Sequence, residues 1–387
     1  MGKSTKYIIP TLSLITIFFG TTVMIQADTF NLELKKLSDQ SMNVFDPKDP
    51  DFLFRRTSSQ YIRYDPEGNQ VTLPDQKNVA SLLKKDRDKY ECAYPFKGVI
   101  RLLNDNYLFA VDSDDLFIKG YDKLYLDRNQ NGDLTDDARI EAIPPPEGIS
   151  YGEGSSQREF PKQEITLTVD GTKIEYAFFF AVYSNMQSKT EAPNFARADV
   201  RSAIYREGTI EIAGKKHQIV LLDFNSNGRF DDDYRVDENV TSGNDRVYMR
   251  PGDNLFLDPD KKNQNIAYYL SDRKDTFPVS KLLWVDDRFY NLSVTPKGDQ
   301  ITLSPSTIPT GNVKNPNRRF NAVYSGNPGI VKIYGEASKP VVMPEGEWKL
   351  MEYSIDATES TSQNDPERPT RTAATGTKQS PIVKVKS

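Results

Sequence analysis

Asp127-Arg128-Asn129-Gln130-Asn131-Gly132-Asp133-Leu134-Thr135-Asp136-Asp137 is matched later in the chain by Asp223-Phe224-Asn225-Ser226-Asn227-Gly228-Arg229-Phe230-Asp231-Asp232-Asp233. Both stretches carry side-chain oxygens at positions 1, 3 and 5 (Asp127, Asn129, Asn131; Asp223, Asn225, Asn227) and glycine at position 6 (Gly132, Gly228). A hard divalent cation needs several oxygens at short range, and glycine permits the sharp turn that gathers them. Each copy holds four carboxylates and one arginine, a formal −3. Two carboxylates ~5 Å apart repel by roughly 3 kcal/mol at an effective dielectric of about 20, so a cation among them removes a cost of folding. An Asn- and Gly-rich surface turn would explain one such stretch. It does not explain the shared register: Leu126 and Leu222 before the loops, Leu134 and Phe230 at position 8, paired aspartates at positions 10 and 11, and Arg139 and Arg235 beyond.

The segments entering the loops, Lys123-Leu124-Tyr125-Leu126 and Gln218-Ile219-Val220-Leu221-Leu222, are short runs of strand-forming residues without an i, i+3, i+4 pattern. The loops are therefore expected to join strands. They resemble the EF-hand calcium loop and, more broadly, the Asp-x-Asp-x-Asp-Gly loops between strands in secreted and integrin-like proteins. The resemblance covers these two windows and implies Ca²⁺ as the cofactor. Positions 1, 3 and 5 would bind through side chains and position 7 (Asp133, Arg229) through its carbonyl, since a guanidinium has no lone pair to offer. Position 12, where an EF-hand places its closing Glu, is Ala138 in one copy and Tyr234 in the other. The closing carboxylate must come from Asp136 or Asp137 in the first loop and from Asp231, Asp232 or Asp233 in the second.

Working outward, the fold class expected is mainly β: antiparallel hairpins in two related β units carrying the loops, plus a small C-terminal sandwich-like module. Residues 97–305 form the expected β domain. Its clearest hairpin runs from Ile165, Leu167 and Val169 through Asp170-Gly171 to Ile174, Tyr176 and Phe178. A second turns at Gly214 and delivers the chain to Asp223, and a third turns at Pro296-Lys297-Gly298-Asp299. Pro144-Pro145-Pro146-Glu147-Gly148 and the Gly/Ser-rich residues to Ser156 read as a linker. Leu255-Phe256-Leu257-Asp258-Pro259-Asp260 echoes the loop approach but lacks the glycine, and reads as a turn. Residues 28–96 read as a mixed region, with a hairpin of Tyr61–Tyr64 and Gln70–Leu73 and a short helix within Asn78–Lys89 whose charged run from Lys84 is its solvated face. Residues 306–356 show strand-like runs about every ten residues. Their Pro344-Glu345-Gly346-Glu347-Trp348 is similar to the Pro-x-Gly-x-aromatic turn of prealbumin-like or carboxypeptidase-regulatory-like accessory modules. Residues 357–387 are Thr, Ser, Lys and Pro rich and are expected to be disordered.

Residues 1–27 have the form of an export signal: Lys3 and Lys6, an uncharged, mostly apolar run from Tyr7 to Met24, and a small residue, Ala27, before Asp28. The expected location is secreted, periplasmic or otherwise in the cell envelope, with membrane association only if this segment stays attached. A net charge of −5 gives no general attraction for nucleic acid. One cysteine, Cys92, and one histidine, His217, exclude an intrachain disulfide, a zinc ribbon and a His-cluster metal site. No nucleophile elbow, phosphate-binding Gly-rich loop or His-Glu-x-x-His occurs. The neighbours of His217, Lys215 and Lys216, suggest surface exposure, and Cys92 reads as a small buried hydrophobe, so the two are not expected to form a dyad. The whole pattern resembles exported bacterial β proteins and implies no reaction. Two classes remain: a structural or adhesive envelope protein rigidified by calcium, with envelope polysaccharide or protein as partner, or a carbohydrate binder or carboxylate-based hydrolase.

Overall fold

A computed structural model describes residues 27–39, 49, 51–55, 57–64, 79–145, 148, 151–237, 248–262, 270–317, 319–336, 339–356, 371–375 and 382–386. Antiparallel strands dominate them, as the alternation of apolar and polar residues requires. The Asp170-Gly171 hairpin pairs Gln163–Val169 with the first half of a fourteen-residue strand, Thr172–Asn185. Asp170 (φ 47°) and Gly171 (φ 76°) supply the left-handed backbone of its two-residue turn. Ala213 and Gly214 do the same between Ile204–Ile212 and Lys215–Leu222. The third anticipated hairpin is present as Arg288–Val294 and Gln300–Pro305. The expected export signal up to Gln26 and the Gln70–Leu73 half of the expected N-terminal hairpin lie outside the described residues. Among the described residues no helix is long and apolar enough to cross a membrane.

The N-terminal region is woven into the sheets of the β domain. Asp28–Asn31 lies along Gln300–Pro305, Glu33–Lys36 along Ile204–Ile212, and Gln60–Arg63 along Phe195–Ser202. One hydrophobic core runs through the sheets from Leu32 to Val385. At its centre the rings of Phe96, Phe109, Phe180 and Phe160 meet in sequence, with centroids 5.4, 5.1 and 5.7 Å apart. The expected helix within Asn78–Lys89 is a single turn, Val79–Leu82. A helix this short is marginal on its own, and the N–H groups of Lys84 and Lys85 leave it to bond Gly132 O.

The two loop-bearing units share less than their sequences suggest. Lys123–Leu126 enters the first loop and pairs with Ile140–Glu141 beyond it, so that loop closes a hairpin. Lys215–Leu222 enters the second, but Arg235–Asp237 beyond it pairs with Tyr248–Arg250. The first sheet has four strands in chain order; the second has five and takes strands from both ends of the domain. The likeness is confined to strand and loop.

In the C-terminal region Arg319–Ser325, Ile330–Glu336 and Gly346–Asp356 form the heart of a five-stranded sheet, and Thr310–Val313 pairs with Val341–Pro344. Trp348, 1% exposed, donates from Nε1 to Pro344 O across the Pro-x-Gly-x-aromatic turn (2.8 Å). The expectation of a disordered 357–387 tail needs correction for two segments: Arg371–Thr375 and Ile382–Val385 both pair with the free edge of Gly346–Asp356. Main-chain groups make the ladder, which the mixed Arg371–Thr375 supplies, while Ile382–Val385 adds an apolar run whose Val385 is buried in the core.

This sheet meets the body of the protein through buried polar groups. Lys332 Nζ donates to the carbonyls of Arg273 and Thr276, Arg273 forks onto Asp275 (2.9 and 2.6 Å), Glu352 accepts Ser271 N–H, and Ser354 donates to Ser271 O (2.6 Å). Burial pushes the Glu352 carboxyl up to about 7 from 4.5. Between those values the folded protein keeps a proton that the unfolded chain has lost, so stability falls as pH rises through that window. Glu352→Gln should remove this component. In urea unfolding, wild type should lose on the order of 3 kcal/mol relative to the variant between pH 4.5 and 7.5; parallel pH profiles would refute it.

Candidate metal centre

All four side chains of Lys123–Leu126 are buried, and the strand carries Asp127 inward to 1% exposure. The Asp127 carboxylate accepts N–H groups from Asn131 (3.1 Å) and Gly132 (2.9 Å). Asn129 Oδ1 also accepts from Asn131 N (3.0 Å), and Asn131 Oδ1 accepts from Asp133 N (2.7 Å). Gln130 (φ 58°) and Gly132 (φ 78°) take the left-handed conformations that wrap the chain around position 1. The side-chain amides of Asn131 and Asn129 reach Asp136 Oδ2 at 2.8 and 3.4 Å. Asp137 faces the N–H of Arg128 and leaves Oδ2 buried without a hydrogen-bond partner. Burial, then the charges of Asp127 and Asp136, pushes its carboxyl up to about 6. Asp133 instead bonds Thr135 and is held below the usual carboxylate range. Lys84 and Lys85, expected on a solvated helix face, form the clasp of this loop: both donate to Gly132 O, Leu134 N–H donates back to Lys85 O, and Lys85 Nζ lies 3.3 Å from Asp133.

The second loop repeats the scheme. Asp223, fully buried, accepts from Asn227 N (3.0 Å) and Gly228 N (2.9 Å), and Asn225 and Asn227 accept from the main chain two residues on. Their amides reach Asp232 Oδ2 at 3.1 and 2.7 Å. Ser226 (φ 58°) and Gly228 (φ 89°) replace Gln130 and Gly132. At position 8, Leu134 and Phe230 are both fully buried, and the N–H of each donates to a neighbouring segment, Lys85 O and Pro296 O.

The remaining carboxylates of the two loops have different partners. Asp231 is taken by a two-pronged pair with Arg229 (2.8 Å each), and burial pushes the Asp233 carboxyl up against the opposing charges of Lys281 and Arg235. The group that replaces Asp137 comes from outside the loop. Asp253, fully buried, accepts Phe224 N at one oxygen and Asp232 N at the other (2.9 Å each), joining positions 2 and 10. Burial, then the charges of Asp223 and Asp232, pushes the Asp253 carboxyl well up, and burial pushes Asp223 up to about 7 against hydrogen bonds from Tyr176, Gly228 and Asn227. Tyr176 OH sits 2.6 Å from Asp223 Oδ2. Neither Asp253 nor Tyr176 is legible as part of the loop from sequence; one lies past it and the other resembles an ordinary inward strand aromatic.

Among the described residues no three His, Cys, Asp or Glu side chains converge as a metal site by themselves. The loops combine carboxylates with Asn oxygens and carbonyls, an all-oxygen set of the kind hard cations take, and the unpartnered Asp137 Oδ2 fits that use. His217 departs from expectation: it is 2% exposed, because strand alternation places it on the face of Ile219 and Leu221, and Nδ1 lies 2.7 Å from Asp258 Oδ2. Cys92 is half-buried and bonded to Asp112, with burial pushing its thiol up to about 12. The two side chains are thus engaged with different partners.

No family model, curated protein or solved structure matches the chain. The loop geometry makes its own prediction. A methyl group at Gly132 would meet Leu82 O at 2.5 Å on a left-handed backbone, whereas one at Gly171 would meet the backbone strain alone. Gly132→Ala should cost more than about 1 kcal/mol and more than Gly171→Ala in urea denaturation; equal losses would contradict the close approach.

Proposed function

We propose that the protein is an exported structural or adhesive protein of the cell envelope in which Ca²⁺ at the two loops ties strand ends together. The observation that carries this reading is the repetition of one hydrogen-bond scheme around a buried position-1 aspartate, with neighbouring carboxyls that burial and their own repulsion push up. The first site would use the side chains of Asp127, Asn129 and Asn131, the carbonyl of Asp133, and Asp136 with Asp137. The second would use Asp223, Asn225 and Asn227, the carbonyl of Arg229, and Asp232 with Asp253. When bound, the ion supplies charge neutralisation and no reaction chemistry. The chain's own contribution is to hold the oxygens: Gly132 and Gly228 set the turn, Tyr176 and main-chain N–H groups orient Asp223, and the Lys84-Lys85 segment closes over the first loop.

Extracellular modules of this type bind calcium at about 10⁻⁴ to 10⁻³ M. At ten times the dissociation constant each occupied site stabilises the fold by about 1.4 kcal/mol. Calorimetry of the purified chain should therefore give a thermal midpoint that rises with millimolar CaCl₂ and falls with EGTA. Asp127→Ala combined with Asp223→Ala should abolish that response, and Asp253→Asn should weaken only the contribution of the second loop. A midpoint indifferent to chelation in wild type would sink the reading.

A further inference from the structure

The sheet built from Gln60–Arg63, Phe195–Ser202, Thr172–Asn185 and Ser155–Glu159 turns Ile62, Ala198 and Val182 into the core. Its opposite face carries two of the large apolar side chains that the protein leaves exposed, Tyr61 (55%) and Phe195 (42%). Between them lies Arg197, its guanidinium carbon 4.7 Å from the ring centre of Tyr61, 4.8 Å from that of Tyr183 and 6.0 Å from that of Phe195. Arg197 and Arg201 share one carboxylate, the fully buried Asp199, at 2.7 and 3.8 Å. Arg63, exposed, stands directly across the ladder from Arg197.

Two guanidinium groups thus share Asp199 and a third stands beside them, on a chain whose net charge is −5. Glu159 accepts from Gln157 (3.3 Å) and adds a second carboxylate at the far edge, so the face carries three guanidinium groups against two carboxylates. Like charges directly opposite on paired strands are destabilising, a local cost that an anionic partner would relieve. Aromatic rings fixed by cation–π contact offer flat amphipathic area with little side-chain freedom left to lose. Exposed Tyr61, Arg63 and Phe195 on two paired strands suit a chain of flat, CH-faced rings bearing carboxylates. We propose that this face binds an acidic polysaccharide, with Tyr61 and Phe195 stacking on sugar rings and Arg63 and Arg197 meeting uronate groups.

The face uses no loop residue, so the test is separable from the calcium reading. The full chain would be titrated calorimetrically with polygalacturonate, dextran and poly-glutamate, in EGTA and below the chelated midpoint. Polygalacturonate should bind, and Tyr61→Ala with Phe195→Ala, or Arg63→Glu alone, should weaken it tenfold or more, Arg63→Glu without lowering the thermal midpoint because it replaces a like-charge pair with Arg197 by an opposite one. Arg63→Glu lies at an exposed position and serves if the double variant folds poorly. Absence of polygalacturonate binding, equal binding of dextran, equal binding of poly-glutamate (which would assign the face to acidic proteins), or indifference to Arg63→Glu would each overturn the proposal.

Discussion

A carboxylate without exposed surface must be neutralised by the protein around it, and Asp127, Asp223 and Asp253 all stand in that position. The strands that lead to the loops are buried to their last residue, so the chain has no choice but to bring the first aspartate inside. Once there, the charge selects the conformation of the next several residues. The N–H groups four and five residues on must point back, which fixes a left-handed residue at position 4 and another at position 6. The apolar residue at position 8 is then buried, Phe230 in the main core and Leu134 in a smaller cluster with Val79, Leu108 and Tyr125.

The same requirement gives the two loops different characters. The first lies at the surface, with Asn129, Asn131 and Asp136 exposed, and is closed by a short neighbouring segment. The second is packed between elements from distant parts of the chain. Leu103 N–H donates to Asn227 O, Ser226 Oγ donates to Ser58 O, and the Gln60 side chain spans Arg101 O and Ser226 O. A rearrangement there would be felt in two sheets at once.

Much of the β architecture was legible because each strand carries its own signal. The alternation at Ile165, Leu167 and Val169, the Asp170-Gly171 turn and the runs around Tyr107 and Ile330 each say locally what they do. The loops were legible for the same reason, since five of their positions are constrained by one buried charge. The features that escaped depend on a distant partner. Asp253 looks like any polar loop residue until its two oxygens are seen to join Phe224 and Asp232. The tail strands are short and lie in a Thr-, Ser-, Lys- and Pro-rich stretch, and they are specified by the free edge of Gly346–Asp356, although Ile382-Val383-Lys384-Val385 does carry a strand-like run. His217 was misjudged through its lysine neighbours, although alternation within its own strand already placed it inside.

Two strands near the amino end straddle two sheets: Asp28–Asn31 needs Gln300–Pro305, and Glu33–Lys36 needs Ile204–Ile212. Contacts so distant in sequence close large loops before they return any stabilisation, which makes assembly slow. A chain that emerges from its amino end presents these two strands early and must wait until Gln300–Pro305 has followed before both are paired. Over that interval they are open edges, and Lys35 and Lys36, side by side in the second of them, are the kind of charged residue that discourages such an edge from pairing with another molecule.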